Sequence, residues 1–331
     1  MQKYLKNALI FLIIIFALLA VMASLTNATE ALNTTDPLFL SIAVLFFISS
    51  VVVWLISWAF LIKKRSKVPL RGSLFLGFSA VYAALTPIQL GADLLRALSL
   101  KKYFGVPYKD SIAASMVVKG AKFSLIAIFS SFVIVMFLLS AKTDFFLLTG
   151  LLSGFIVVLL ATALFLLPLN KNFGLSIAGI FQKISRFVPL ASKAEKFFVD
   201  YSDYLSLVGN KNFLVVAFLS GLSLLLEFLA LLFCFYALSL NLPFISIALL
   251  FILIAILERT PFLPRGIGIV EGVGFAYLSL PALATQPISI AKIGALLIIF
   301  DFVRLVVPSL LSMLVYIVFA SKQKSDYSKQ L

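Results

Sequence analysis

Apolar runs of about twenty residues recur along the chain, each long enough to cross the hydrocarbon core of a bilayer, with short basic or broken stretches between them. The first run, from Ala8 to about Leu25, follows Lys3 and Lys6. Small residues from Ala20 to Ala23 resemble a signal-peptide cleavage region, but the run is long for such a peptide and predicts a retained helix. The loop 26 to 36 then lies outside, with N-x-[ST] triplets at Asn27 and Asn33. A second span covers 38 to 62 and stops at KKRSK, 63 to 67, a cytoplasmic anchor. Further spans are expected over 111 to 139, 145 to 168, 213 to 238 and 289 to 320. Gly150 and Gly154 give one of them a small-xxx-small face for close helix contact. Between 171 and 212 the pattern is basic and amphipathic. Phe173, Ile177, Ile180, Phe181, Ile184 and Phe187 recur at helical spacing, with Lys183 and Arg186 off that face, which predicts helices lying on the inner membrane surface.

Two apolar stretches do not read as simple crossings. Residues 73 to 105 are interrupted by Pro87 and Gly91 and flanked by Arg71 on one side and Lys101 and Lys102 on the other. Basic residues collect on the cytoplasmic side, so this stretch enters from the cytoplasm and returns, as a re-entrant hairpin over 73–100. Residues 244 to 280 contain ERTPFLPRGIGIVEG and lead into the uncharged loop PALATQPI, 281 to 288. The last span ends at Lys322 and Lys324, so 244–280 begins and ends outside. Residues 38–139 thus run span, hairpin, span, and 213–320 repeat that order upside down, an arrangement that points to inverted repeats. The expected fold is all-α: a single polytopic domain over 1–331 with about six full transmembrane helices and two opposed re-entrant hairpins. Residues 171–212 form its cytoplasmic linker, both termini lie in the cytoplasm, and Lys142 is the only basic residue expected in an external loop.

Composition narrows the chemistry. Of 331 residues, 63% are apolar and 12% charged, far from the balance of a soluble domain. The net charge of +14 follows from basic cytoplasmic loops and does not call for nucleic acid as a partner. There is no histidine, and Cys234 is the one cysteine, so disulfides, zinc sites and Ser-His-Asp catalysis are excluded within the chain. No cofactor is implied, and no enzymatic activity is expected.

The broken stretches carry the remaining signal. Lipid cannot hydrogen-bond an interrupted backbone, so a break at membrane depth is buried in protein or lines a wet cavity. Pro261 and Pro264 stop one half-helix, Gly266, Gly268 and Gly272 permit close approach, and a new helix starts near Ile269. Such a start favours an anionic group, and Arg265 beside it is suited to pairing a phosphate. Charges expected at membrane depth are Asp93, Arg96, Lys119, Lys122, Glu227, Glu258, Arg259, Arg265, Glu271, Asp301 and Arg304. Each costs on the order of 3 kcal/mol at a helix centre, so pairing or function must hold it there. Asp301 and Arg304, at i and i+3, form an expected structural pair, and for Lys119 and Lys122 snorkelling to the inner surface is as good a reading as pairing or function at depth. The string GIGIVEG is not a dinucleotide fingerprint, because Glu271 stands where a glycine is needed and no βαβ context exists.

Two motifs together carry a resemblance. LGADLLRALSLKKYFGVPYKDSIAASMVVKGAKF, 90 to 123, and PFLPRGIGIVEG, 261 to 272, resemble the paired motifs of the transmembrane region of lysylphosphatidylglycerol synthases, a flippase-like membrane family. The resemblance covers essentially the whole chain and implies movement of a lipid, but no synthase domain accompanies it here. Arg265 stands where that family usually has Gly, and Lys119 where an Arg is common, which adds positive charge at the first of these positions. The expected substrate is a lipid with a phosphate-bearing or aminoacylated head group, such as an anionic or aminoacylated phospholipid or a polyprenyl-phosphate lipid. In this reading Arg96, Arg259, Arg265 and Arg304 neutralise phosphate, while Glu227, Glu258 and Glu271 balance them or take a cationic head group; Asp93 and Asp301 complete the polar set. Rival readings are a secondary transporter of a small polar solute and a scaffold for a lipid-modifying enzyme. A homodimer in the cell membrane is compatible with all three.

Overall fold

A computed structural model describes residues 2–85, 91–139, 145–166, 171–185, 191–258, 264–280 and 288–328. Every regular element among them is helical, and the protein is an all-α polytopic membrane protein. The helices are α1 (Gln2–Thr26), α2 (Thr29–Asn33), α3 (Pro37–Arg65), α4 (Leu70–Ser79), α5 (Gly91–Phe104), α6 (Tyr108–Leu139) and α7 (Phe145–Leu166). There follow α8 (Lys171–Ser185), α9 (Ala191–Ala237), α10 (Phe244–Leu257), α11 (Ile269–Leu278), α12 (Ile290–Asp301) and α13 (Val307–Ser328). Among the described residues, apolar segments of α1, α3, α6 and α9 are long enough to cross a membrane.

Local chemistry sets the ends of these helices. Asp36 caps α3 by accepting from the backbone N–H of Leu38 at 2.8 Å, Pro37 opens its first turn, and Lys63, Lys64 and Arg65 complement the dipole at its end. Ser289 caps α12 by accepting from the N–H of Lys292 at 3.3 Å. Helix α9 is continuous except at Gly209 (φ 69°), where the amphipathic part turns into the spanning part.

The apolar surface is arranged for lipid. Leu45, Ile128, Phe132, Leu214, Phe218 and Leu314 are exposed on α3, α6, α9 and α13, a pattern a water-facing protein avoids over so wide an area. Helices α3, α6 and α9 pack as the central trio, α7 lies on α6, and α8 lies on α9. On α8 the predicted apolar stripe divides: Ile177 and Phe181 pack against the cluster shared with α9, whereas Phe173, Ile180 and Ile184 stay exposed. Phe187 and Arg186 lie outside the described residues, as does Lys142.

Both broken stretches are built from helices too short to span. Helix α4 has 10 residues, and a 3₁₀ turn over Val81–Leu85 and α5 follow it. Helix α10 has 14 residues; a turn over Pro264–Gly266 leads into α11, with 10 residues. Ten residues of helix reach about 15 Å, half the hydrocarbon thickness. The two turns pack against each other, and Leu85 shares a cluster with Ile267, Leu305, Leu12 and Ile15. Helix α13 supports the first break as well: Ser312 Oγ accepts from the N–H of Tyr82 at 2.9 Å and donates to the carbonyl of Phe78 at 2.8 Å. Between α12 and α13 the chain makes a π turn over Phe302–Val306.

Candidate functional site

The second break is organised around one cation. Arg304 lies in the π turn with 0% of its side chain exposed. Its Nε and Nη2 sit 2.7 Å from Asp301 Oδ1, its Nη1 donates to Glu258 Oε1 at 2.9 Å, and its Nη2 donates to Glu271 Oε1 at 2.7 Å. A buried cation loses several kcal/mol of hydration, and only a shell of short charge-assisted bonds offsets that cost. Three carboxylates, Glu258 just past the end of α10, Glu271 of α11 and Asp301 of α12, supply the shell, so the guanidinium ties together the helices on both sides of the break.

The break's backbone completes the knot. Arg265 (φ 50°) donates from Nη1 to the carbonyl of Arg304 at 2.6 Å and receives Arg304 Nη1 on its own carbonyl at 3.2 Å. Its guanidinium stands 5.6 Å from the centre of the Phe47 ring. Gly266 (φ 70°) needs to be glycine twice over: its conformation disfavours a side chain, and a Cβ there would come within 2.7 Å of the carbonyl oxygen of Leu257. Gly268 (φ 88°) precedes α11, and its N–H donates to Glu271 Oε2, so one carboxylate caps the new helix and holds Arg304 together.

The first break is organised around one anion. Asp93 on α5 is buried; its Oδ1 lies 3.2 Å from Arg96 Nη2 and its Oδ2 accepts from Lys119 Nζ of α6. Arg96 is equally buried, its guanidinium 4.4 Å from the ring centre of Trp54 and 5.5 Å from that of Trp58, both on α3. Its Nε donates to the carbonyl of Ala92 at 3.2 Å.

A third pair joins α6 to α9. Lys122 Nζ and Glu227 Oε1 are 2.6 Å apart, and Ser50 Oγ of α3 donates to the same carboxylate oxygen at 3.1 Å. Ser50 and Ser223 hydroxyls lie 3.0 Å apart beside it. Near the end of α3 that carries Lys63 and Lys64, Arg65 faces Asp110 at 3.5 Å and lies over Tyr204. Burial raises the Tyr204 phenol above its ordinary range; Asp110 adds to the shift and Arg65 opposes it.

Alongside α1 the second break opens on a cleft of about 230 Å³. Its walls are Ile15, Leu18, Leu19, Val21, Met22 and Leu25 of α1 against Ile267, Gly268, Glu271, Asp301 and Leu305. Leu18, Val21 and Leu25 are exposed, so its rim faces the lipid side of the helix.

The model of one protein family, the lysylphosphatidylglycerol synthase TM region, matches residues 8–312. The chain belongs to this family. It is therefore a membrane protein tied to lipid metabolism or transport. A search of the curated proteins and a search of the solved structures returned no match.

Within this synthase-TM-region protein the sequence-predicted residues fall into three groups. Glu258, Arg265, Glu271, Asp301 and Arg304 come together at the second break, with Gly266, Gly268 and Gly272 in the turn and the helix it opens. Asp93 and Arg96 come together at the first, on the helix that Gly91 opens, and Glu227 stands apart with Lys122. The backbone of Pro264 belongs to the 3₁₀ turn, while Pro87, Arg259 and Pro261 lie outside the described residues. Lys119 and Lys122, for which pattern leaves snorkelling and pairing equally open, are ion-paired with Asp93 and Glu227. The sequence reading did not single out Trp54, Trp58, Ser50 or Ser223. A Trp-x-x-x-Trp spacing on one helix face, set against a buried arginine, is a signal for the first two.

Proposed function

We propose that the protein moves a lipid with a phosphate-bearing or aminoacylated head group from one leaflet to the other. The observation that carries this reading is the cleft beside α1: apolar along its length, rimmed by lipid-facing residues, and floored by Glu271 and Asp301 of the Arg304 cluster. Such a shape suits acyl chains that stay in the bilayer while the head group meets the polar cluster. A transporter of small polar solutes needs no lateral opening of this kind. The family's tie to lipid points the same way.

In this reading α4–α5 and α10–α11 are re-entrant hairpins entered from opposite faces, as halves of an inverted repeat. A shared device supports the pairing. In each, a carboxylate on the second half-helix, Asp93 or Glu271, is held by a cation from the following helical segment, Lys119 or Arg304. The basic termini and loops face the cytoplasm of a cell-membrane protein, and the work is transport rather than catalysis.

The test is head-group accessibility in proteoliposomes, with labelled phospholipids and a polyprenyl-phosphate probe. The parent should translocate at least one probe, and Glu271→Gln and Arg265→Ala should slow it. Val21→Trp, which fills the cleft without touching the charges, should slow it too. Folded parent protein that moves none of these lipids would overturn the reading, and uptake of a small solute unaffected by Val21→Trp would replace it with the solute transporter.

A further inference from the structure

Around the first break, buried polar atoms lie on facing helix surfaces without hydrogen-bond partners. Ser57 of α3, Ser73 of α4 and Ser111 of α6 are all 0% exposed, yet none of their hydroxyls has one, while Ser115 of α6, equally buried, faces the Asp93 carboxylate. Arg96 Nη1, nine-tenths and more buried between Trp54 and Trp58, also lacks one. Buried polar atoms are satisfied in nearly every protein, and where no protein atom serves them, ordered water does. So many orphans in one region point to a hydrated seam and not to a dry contact of small residues.

The seam has a direction. On α6, Ser111, Ser115, Lys119 and Lys122 fall within about 80° of one another around the helix, and Ser50, Trp54, Ser57 and Trp58 share a face of α3. Ser220, Ser223 and Glu227 share a face of α9, and these three helices pack together. One end is the Arg65–Asp110 pair, where α3 carries its basic anchor and Lys109 meets Asp200 at the surface. The other end, about 18 Å further along α6, is the Lys122–Glu227 pair. Beyond that pair the same helices present Phe47, Ile126, Ala230, Leu231 and Cys234, an apolar cluster in which Ser130 stands apart two turns on.

We propose that this seam is a water-filled half-channel that carries protons from the basic face to the Lys122–Glu227 pair. A proton arriving from water adds to the Glu227 carboxylate and leaves a neutral acid beside the Lys122 ammonium. No electron moves, and the proton departs when the pair faces the opposite side. Carboxylates at membrane depth are the usual stations of such relays. The titratable groups around this one are few. Helix α6 brings Lys122 and, less than a turn below it, Lys119, which is held with Arg96 by Asp93 of α5; α3 brings Ser50. Helices α7 and α10 contain no titratable side chain, and α12 has only Lys292 and Asp301, at its two ends. The inference supplies the driving ion for the lipid movement proposed above, but the channel itself is tested without any lipid moving.

The first test uses Ser57→Cys and Ser115→Cys in the full chain, in membrane vesicles, with a small cationic thiosulfonate that cannot cross the bilayer. Native Cys234, buried two turns beyond Glu227 on α9, is the dry reference within the same molecule. Applied from the basic face, the reagent should modify the thiols at 57 and 115 more than an order of magnitude faster than Cys234. From the opposite face it should modify neither. Thiols at 57 and 115 as slow as Cys234, with full labelling after denaturation, would make the seam dry packing and overturn the channel. The second test is a hydrophobic carbodiimide, which should attach to Glu227 increasingly as the pH falls; no adduct at any pH would remove the proton from the proposal. In vesicles that translocate lipid, a pH gradient should change the rate several-fold for the parent and leave Glu227→Gln indifferent. Lys122→Gln with Glu227→Gln removes both charges at once and should behave like the single variant. A parent that moves lipid at a rate blind to the gradient overturns the proton role while the flippase stands. A parent that moves no lipid sinks the flippase, and the two labelling results still decide the channel.

Discussion

The two breaks solve one problem with opposite signs. At the second, a single guanidinium, Arg304, gathers three carboxylates from three helices. At the first, a single carboxylate, Asp93, gathers two cations, and Trp54 and Trp58 cover the arginine. Each cluster contains an i, i+3 pair on its own chain segment, and each takes a further partner from another helix. The difference lies in what remains if the centre is removed. Without Arg304 the carboxylates repel one another deep in the protein. Without Asp93, Lys119 has a way out, since 26% of its side chain is already exposed.

That asymmetry orders the expected losses. Arg304→Met should be the most damaging, about 3–5 kcal/mol, read as a collapse of membrane accumulation or of thermal stability in detergent. Arg304→Lys should not rescue it, because Nε, Nη1 and Nη2 are all in use and one ammonium cannot reach three carboxylates in that geometry. Gly266→Ala comes next, at about 2–3 kcal/mol, because φ and the Leu257 carbonyl both oppose a Cβ. Gly268→Ala, whose Cβ meets open space, should cost about 1 kcal/mol by the same denaturation measurement. Asp93→Asn should cost about 2 kcal/mol, and adding Lys119→Met should recover part of it in a double-mutant cycle. Equal losses for Arg304→Met and Asp93→Asn would erase the contrast between the two breaks. Smallest of all, Trp54→Leu should remove about 1–2 kcal/mol of cation–π support and leave the second cluster untouched, which thiol labelling near α11 would check.

How much of this was legible depended on distance along the chain. The Asp301–Arg304 pair is local, one turn of helix, and spacing alone revealed it. Glu258 and Glu271 lie 46 and 33 residues from Arg304, so the pattern could mark all three as buried charges without saying that they meet. The same holds for Lys122 with Glu227, 105 residues apart, where snorkelling was an equally good reading of the sequence. The helix start at Ile269 was readable because prolines and glycines act on the backbone beside them. The orientation of Arg265 was not. A guanidinium at a helix start suits a phosphate, but here it turns to the carbonyl of Arg304, a choice that depends on where another helix stands. The serine seam escaped notice for a related reason: one serine on an apolar helix is unremarkable, and only packing brings several orphaned hydroxyls to one region.

The π turn over Phe302–Val306 has a consequence of its own. One continuous rod makes two contacts, and the turn holds the first of them: Arg304, inside it, clasps the second break, and Ser312, two turns on, holds Phe78 and Tyr82 of the first. A π turn takes up one residue more than the α turn it replaces, and each residue is worth about 100° of rotation about the axis. The turn therefore sets the phase between the two contacts, as the teeth of a gear fix which faces meet. Losing a single residue from its second half, after Arg304, would leave the rod unbroken and its composition almost unchanged. It would nevertheless swing Ser312 away from Tyr82 whenever Arg304 stayed with its carboxylates, so that the rod could serve one break or the other but no longer both.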